Sequence, residues 1–217
     1  MHIYKGVIFD VDGTLLDSMC IWESVAPDYL KSRGAMPRAD LNDALSRLGG
    51  HEIPGYFRSE YGLRESVDEI MSGIYKLLED FYLHKAPAKK EVIPVLNTLS
   101  GLGIKMSIAT ATEKYLIDSA LERLGIRKYF KRIFSCGEEM TSKSSPDIYL
   151  RAAVDLGTAI SETLIVEDAL YAIRSAKSAG FPVAAVYDKS ALDYQDEIKQ
   201  LCDYYFISMD EMLSLFG

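Results

Sequence analysis

Cysteine is scarce, with only Cys20, Cys136 and Cys202 in 217 residues. They lie far apart, in an odd number and with no CxxC spacing, so nothing points to a thiolate zinc site or a disulfide framework, and a reducing cytoplasm fits best. Long apolar runs are missing as well. A membrane-spanning helix needs roughly 20 consecutive apolar residues, and the apolar stretch near the start stops at Asp10, too soon for the core of a secretion signal. The protein is therefore expected to be soluble and unexported, with no membrane partner. Basic residues are the minority, 24 Lys and Arg against 32 Asp and Glu for a net charge of -8. Nucleic acids and anionic membranes need a basic face that displaces counterions, so no nucleic-acid partner is expected. The 14 tyrosines show no regular interleaving with basic residues of the kind an RNA-stacking surface uses.

What the chain does have is two acidic pairs, each directly after an apolar run. Asp10 and Asp12 stand in Val7-Ile-Phe-Asp-Val-Asp-Gly-Thr14, and Glu167 with Asp168 in Leu164-Ile-Val-Glu-Asp168. Continuous apolar runs of this length read as buried parallel strands, which puts both pairs at carboxyl-terminal strand ends, where open α/β sheets keep their active sites. Carboxylates gathered there repel one another, so a cation is implied.

From residue 91 onward helices and strands alternate, with strands at 105–109, 132–135, 163–166, 182–186 and 204–207 and helices between them, the last near 209–216. Gly103, Gly125, Gly157 and Gly180 each follow a predicted helix, at the position of a left-handed cap. This alternation means a doubly wound, Rossmann-like α/β core built on a parallel sheet. Residues 18–86 lack it and read as consecutive helices; Val67, Ile70, Met71, Ile74, Leu77, Leu78 and Phe81 recur at helical spacing. The expected organisation is a core of residues 1–17 and 87–217 with an inserted all-helical cap at 18–86.

Asp10 and Asp12 lie two apart on extended chain, Cα atoms about 6–7 Å from each other. That suits one carboxylate that attacks a bound group and another that handles a proton on the departing oxygen. Gly13 lets the backbone turn, and Thr14 offers a hydroxyl and an amide to an anion. Thr110 ends an apolar run, placed to hold a phosphate oxygen, and Lys143 precedes a helix start signalled by Pro146 and Asp147. A lysine there neutralises both a phosphate and a nucleophilic carboxylate.

In this order, the segments Asp10-Val-Asp-Gly-Thr-Leu-Leu-Asp17, Thr110, Lys143 and Glu167-Asp168 resemble the four motifs of the haloacid dehalogenase superfamily. The helical insert after the first motif is similar to the cap of the subgroup containing phosphoglycolate phosphatases and β-phosphoglucomutase. The resemblance implies Asp10 as nucleophile, forming an aspartyl-phosphate, and Asp12 as general acid and then base. It implies Mg²⁺ held by Asp10, Asp168 and the backbone carbonyl of Asp12, with Glu167 directly or through water. Thr110 and Lys143 would cradle the phosphoryl group, with Gly13, Thr14, Ala111, Arg47 and His51 as further substrate contacts and a cap that closes to exclude bulk water. The relatives that release halide lack an acid at the position of Asp12, because halide leaves without a proton; phosphoryl transfer from a small phosphorylated metabolite is the expected chemistry.

Two alternatives accompany this reading. A β-phosphoglucomutase-like enzyme would carry a histidine where Trp22 stands, and Leu-Lys-Gly followed by an arginine where Ser46-Arg-Leu-Gly-Gly-His-Glu-Ile53 is found; both departures favour a phosphatase. A catalytically silent phospho-ligand-binding protein would have lost a reactive acid, yet Asp10, Asp12, Lys143 and Asp168 are all present. Two further departures, Ser142 and Ser144 around Lys143 and Ala88-Lys89-Lys90 after Pro87, leave the chemistry untouched.

Overall fold

Short runs rich in Val, Ile and Ala become the strands of one sheet. In the computed structural model, which describes residues 3–45, 48 and 52–217, these are β1 (Gly6–Phe9), β2 (Lys105–Thr110), β3 (Ile133–Ser135), β4 (Thr163–Glu167), β5 (Val183–Val186) and β6 (Tyr204–Phe206). They pair in the order β3-β2-β1-β4-β5-β6, each neighbour parallel. A parallel sheet is covered on both faces, which is why its strands read as unbroken apolar runs; Val7, Ile8 and Phe9 of β1 and Leu164, Ile165 and Val166 of β4 are fully buried. Phe9 lies opposite Ile108 on one side and Val166 on the other, so β1, β2 and β4 finish side by side. The strand order reverses between β1 and β4, where a doubly wound sheet opens a crevice beyond its strand ends.

Residue contacts divide the chain into two units, Met1–Asp17 with Ala86–Gly217, and Ser18–Lys85. The second is helical: α1 (Met19–Ser32), α2 (Leu41–Leu45), α3 (Ile53–Tyr61) and α4 (Val67–His84), around a core of Ala26, Tyr29, Leu30, Leu41, Phe57 and Ile70. A capping box starts α4: the Ser66 hydroxyl accepts from the Glu69 amide at 3.2 Å, and the Glu69 carboxylate takes the Ser66 amide at 2.8 Å. Of the apolar stripe expected on α4, Ile70 and Leu78 are buried while Val67, at its first turn, is exposed.

Gly73 permits the approach of α4 to α1. A Cβ there would lie 2.3 Å from Tyr29 Cε2, and that ring is held by stacking on Phe57 at 6.0 Å. Gly73→Ala gains about 1 kcal/mol of helix propensity yet forces a buried ring to move, at a cost of about 1–3 kcal/mol. The expected outcome is a lower denaturation midpoint for this unit, measured by urea titration followed by tyrosine fluorescence.

In the sheet unit, α5 (Val92–Gly101), α6 (Lys114–Arg123), α7 (Cys136–Glu139), α8 (Asp147–Leu156), α9 (Leu170–Ser178) and α10 (Gln195–Leu201) cover the strands. The four glycines expected as left-handed caps all have positive φ, between 66° and 83°. Four details differ from the sequence expectation. The helix expected at 191–201 begins as a 3₁₀ segment, Lys189–Tyr194, because the Asp188 carboxylate accepts from the Ser190 amide at 2.9 Å and starts the turn early. The last helix, Met209–Phe216, is 3₁₀ throughout, and α7, one turn long, is too short to show periodicity in a sequence. Ala86, assigned by the sequence to the insert, lies with the sheet unit: the Asp17 amide donates to the Pro87 carbonyl at 3.0 Å and Leu16 bridges to Ala88. Among the described residues no helix is long and apolar enough to cross a membrane.

Candidate active site

The carboxyl edge of the sheet is where the buried polar residues collect. Beyond β1 the Asp10 amide still donates to the Val166 carbonyl at 2.9 Å, and then the chain turns sharply. The amides of Thr14, Leu15 and Leu16 converge on the Val11 carbonyl at 3.2, 2.9 and 2.8 Å. Gly13 takes φ 82° in that turn, a conformation strained for any residue with a Cβ. Asp10 and Asp12 are thereby presented just past a strand end. Glu167 is the last residue of β4 with Asp168 beyond it, and Thr110 ends β2, two residues after the partner of Phe9.

Lys143 arrives from the loop before α8 and is 3% exposed. Its Nζ donates to Asp10 Oδ1 at 2.5 Å and pairs with Glu167 Oε1. The Tyr149 hydroxyl, from α8, donates to the same Glu167 oxygen at 2.8 Å, while the Asp168 amide reaches Glu167 Oε2 at 3.3 Å. Thr14 Oγ1 donates to Asp168 Oδ1 at 3.3 Å.

Burial dominates the electrostatics. The Asp10 carboxyl is raised to about 7: desolvation pushes it up most, Lys143 pulls it back, and Glu167 and Asp12 add to the rise. Burial, then Asp10 and Glu167, carry Asp168 well above the usual carboxylate range. For Lys143 burial works against the ammonium, but Asp10 and Glu167 outweigh it and hold the group charged well above the ordinary lysine range.

Asp10, Glu167 and Asp168 can bring one carboxylate oxygen each within 4.8 Å of one another, all three residues buried. One lysine against three buried carboxylates leaves an excess of negative charge that a desolvated site does not hold unaided. The donors are all carboxylate oxygens, the set that a hard divalent cation prefers. A divalent metal therefore fits these residues.

Asp12 faces elsewhere: its Oδ2 accepts from Thr112 Oγ1 at 2.6 Å, and its carboxylate is outside the group that could hold an ion. Thr110 is fully buried and Ala111 exposed at the same edge. The Thr14 amide is turned into the loop onto Val11 and its hydroxyl onto Asp168. Arg47 and His51 lie outside the described residues. Trp22, on α1, is 43% exposed.

Three participants escaped sequence reasoning. Thr112 holds Asp12, and Tyr149 holds Glu167. Lys89 Nζ donates to the Gly13 carbonyl at 2.7 Å, the Tyr187 carbonyl at 2.8 Å and Asp188 Oδ2 at 3.0 Å, tying the turn after β1 to the segment after β5. Each pairing spans residues with no common motif, so spacing carried no signal for them.

The sequence profile of the family described as "Haloacid dehalogenase-like hydrolase" matches residues 7–186. Fructose-1-phosphate phosphatase YqaB of Escherichia coli is 24% identical over 84% of this chain and 96% of its own length. Phosphoglycolate phosphatase of Agrobacterium fabrum is 25% identical over 82% of this chain and 78% of its own. A variant of CbbY from Rhodobacter sphaeroides, crystallised with xylulose-1,5-bisphosphate, superposes with a TM-score of 0.78, covering 96% of each chain at 19% identity; at that identity the likeness concerns the fold.

Proposed function

The chain belongs to the haloacid dehalogenase-like hydrolases and is a phosphatase, and from that premise we propose that it hydrolyses the monoester of a small phosphorylated sugar or glycolate-like acid, with Mg²⁺, through a phosphorylated Asp10. The observation that carries this reading is the buried Asp10 carboxylate in contact with Lys143 at 2.5 Å beside Glu167 and Asp168. An anionic nucleophile meets an anionic phosphate only where positive charge is already in place, and Lys143 supplies it from the protein.

Asp10 attacks phosphorus, the P–O ester bond breaks, and the leaving oxygen takes a proton from Asp12. Water then attacks the acyl phosphate of Asp10 and returns a proton to Asp12, releasing inorganic phosphate and restoring both carboxyl groups. Thr110 and Lys143 grip the phosphoryl oxygens through both halves. Asp10, Glu167 and Asp168 would hold Mg²⁺, whose charge would add to that of Lys143 against the phosphoryl group.

The test is phosphate release from p-nitrophenyl phosphate and from a panel including fructose 1-phosphate, phosphoglycolate and β-glucose 1-phosphate, with Mg²⁺ or with EDTA. Turnover is expected with Mg²⁺ and a fall to background with EDTA. Glucose 6-phosphate formed from β-glucose 1-phosphate faster than free phosphate would replace this reading with a mutase. Binding of phosphoesters without turnover would replace it with a silent binder.

A further inference from the structure

We propose that Thr112 is a positioning residue that sets two groups of the active centre at once: it fixes the Asp12 carboxylate for proton transfer and leaves the Thr110 hydroxyl free to donate to the phosphoryl group. The inference rests on the reading of Asp12 as the proton carrier.

Thr112 follows β2 by two residues and is 6% exposed. Its backbone amide donates to Thr110 Oγ1 at 3.1 Å, and its hydroxyl donates to Asp12 Oδ2 at 2.6 Å, across 100 positions of sequence. Each bond has a chemical consequence. A Thr110 oxygen that already accepts the amide keeps its own hydrogen for another acceptor, which is what a phosphate oxygen requires. The hydroxyl bond to Asp12 engages one oxygen of the carboxylate and fixes the plane in which the other lies. The second Asp12 oxygen then carries the proton, and Thr112 limits which way that oxygen points. Asp12 stands beyond the end of β1, on the turn that a single bridge to Leu16 closes. A β-branched residue suits the task because its χ1 is stiff.

Thr112→Val keeps the volume, the branching and the amide, and removes only the hydroxyl; Thr112→Ser restores it. The readout is kcat/KM, which extends only to formation of the phosphorylated enzyme, over a series of aryl and alkyl phosphates with leaving groups from acidic to weakly acidic. With a poor leaving group the valine variant should lose about 10–100-fold, part of the full value of general acid catalysis. With the most acidic phenol, which leaves without help, the loss should be less than about threefold. The serine variant should recover to near the parent, with KM little changed in both. An equal loss across the whole series, a change in KM alone, or a serine variant no better than valine would overturn the proposal. Asp12→Asn run on the same series separates the two levels. If it responds steeply to leaving-group acidity while Thr112→Val does not, Thr112 alone loses its role. If Asp12→Asn is itself flat, the acid assignment falls and this inference with it.

Discussion

Asp10→Asn is expected to fold as the parent does and to hydrolyse p-nitrophenyl phosphate in excess Mg²⁺ more slowly by a factor on the order of 10⁴ or more, the scale of removing a covalent nucleophile. The change is isosteric and leaves an oxygen to accept from Lys143, so binding of phosphate should survive while phosphorylation of the protein disappears. Mass spectrometry of acid-quenched enzyme tests the intermediate directly: a phosphate adduct in the parent and none in the variant. Undiminished turnover in Asp10→Asn would sink the nucleophile assignment.

The same variant carries a second, opposite expectation for stability. With its carboxyl at about 7 in the fold and near 4 in the unfolded chain, Asp10 binds more protons in the native state. Stability therefore falls as pH rises from about 4 through about 7. Metal-free Asp10→Asn escapes that loss, so in EDTA at pH 8 its thermal midpoint should equal or exceed that of the parent, and the two should converge near pH 4. A variant that is inactive yet no less stable localises the defect in chemistry.

Sequence and structure agree most closely where a residue's role follows from the end of a strand. Asp10, Thr110, Glu167 and Asp168 were legible because each stands at the edge of an apolar run, and the parallel register of β1, β2 and β4 then brings those edges together. Lys143 was legible through Pro146 and Asp147, which announce α8. Thr112, Tyr149 and Lys89 were not. Each lies one or two residues off a motif, and its importance comes from a partner set by tertiary packing: Thr112 with Asp12, Tyr149 with Glu167, Lys89 with the Gly13 carbonyl. At Thr14, where type and position suggest an anion contact, tertiary packing adds two bonds no pattern announces, its amide to Val11 and its hydroxyl to Asp168. The 3₁₀ segments at Lys189–Tyr194 and Met209–Phe216 have the same hydrophobic pattern as short α-helices and differ only in backbone winding.

Lys143→Met carries the other large effect, because it removes charge from both the reaction and the fold. Turnover should fall by about 10²–10³-fold, the usual cost of losing one preorganised cationic or hydrogen-bonding group at a developing charge. The loss of stability has a separate cause. Lys143 lies between Asp10 and Glu167 with the Tyr149 ring 6.0 Å away, and methionine fills nearly the same volume without the ammonium. Breaking a buried ion pair from one side costs about 3–5 kcal/mol, and for a chain of this size 1 kcal/mol moves the thermal midpoint by about 2–4 °C. In EDTA near neutral pH the midpoint should therefore drop by roughly 6–20 °C. The deficit should narrow toward pH 4, where Asp10 and Asp168 in the variant take up protons and no longer need a cation, and widen as pH rises. Mg²⁺ offers the same carboxylates an alternative partner, so the rise in midpoint on adding it should be larger for Lys143→Met than for the parent. Differential scanning fluorimetry at pH 5 and pH 8, with EDTA and with Mg²⁺, reads all four conditions. A deficit independent of both pH and metal would mean that Lys143 acts in the fold as packing volume, and that the acids around it are balanced by something else.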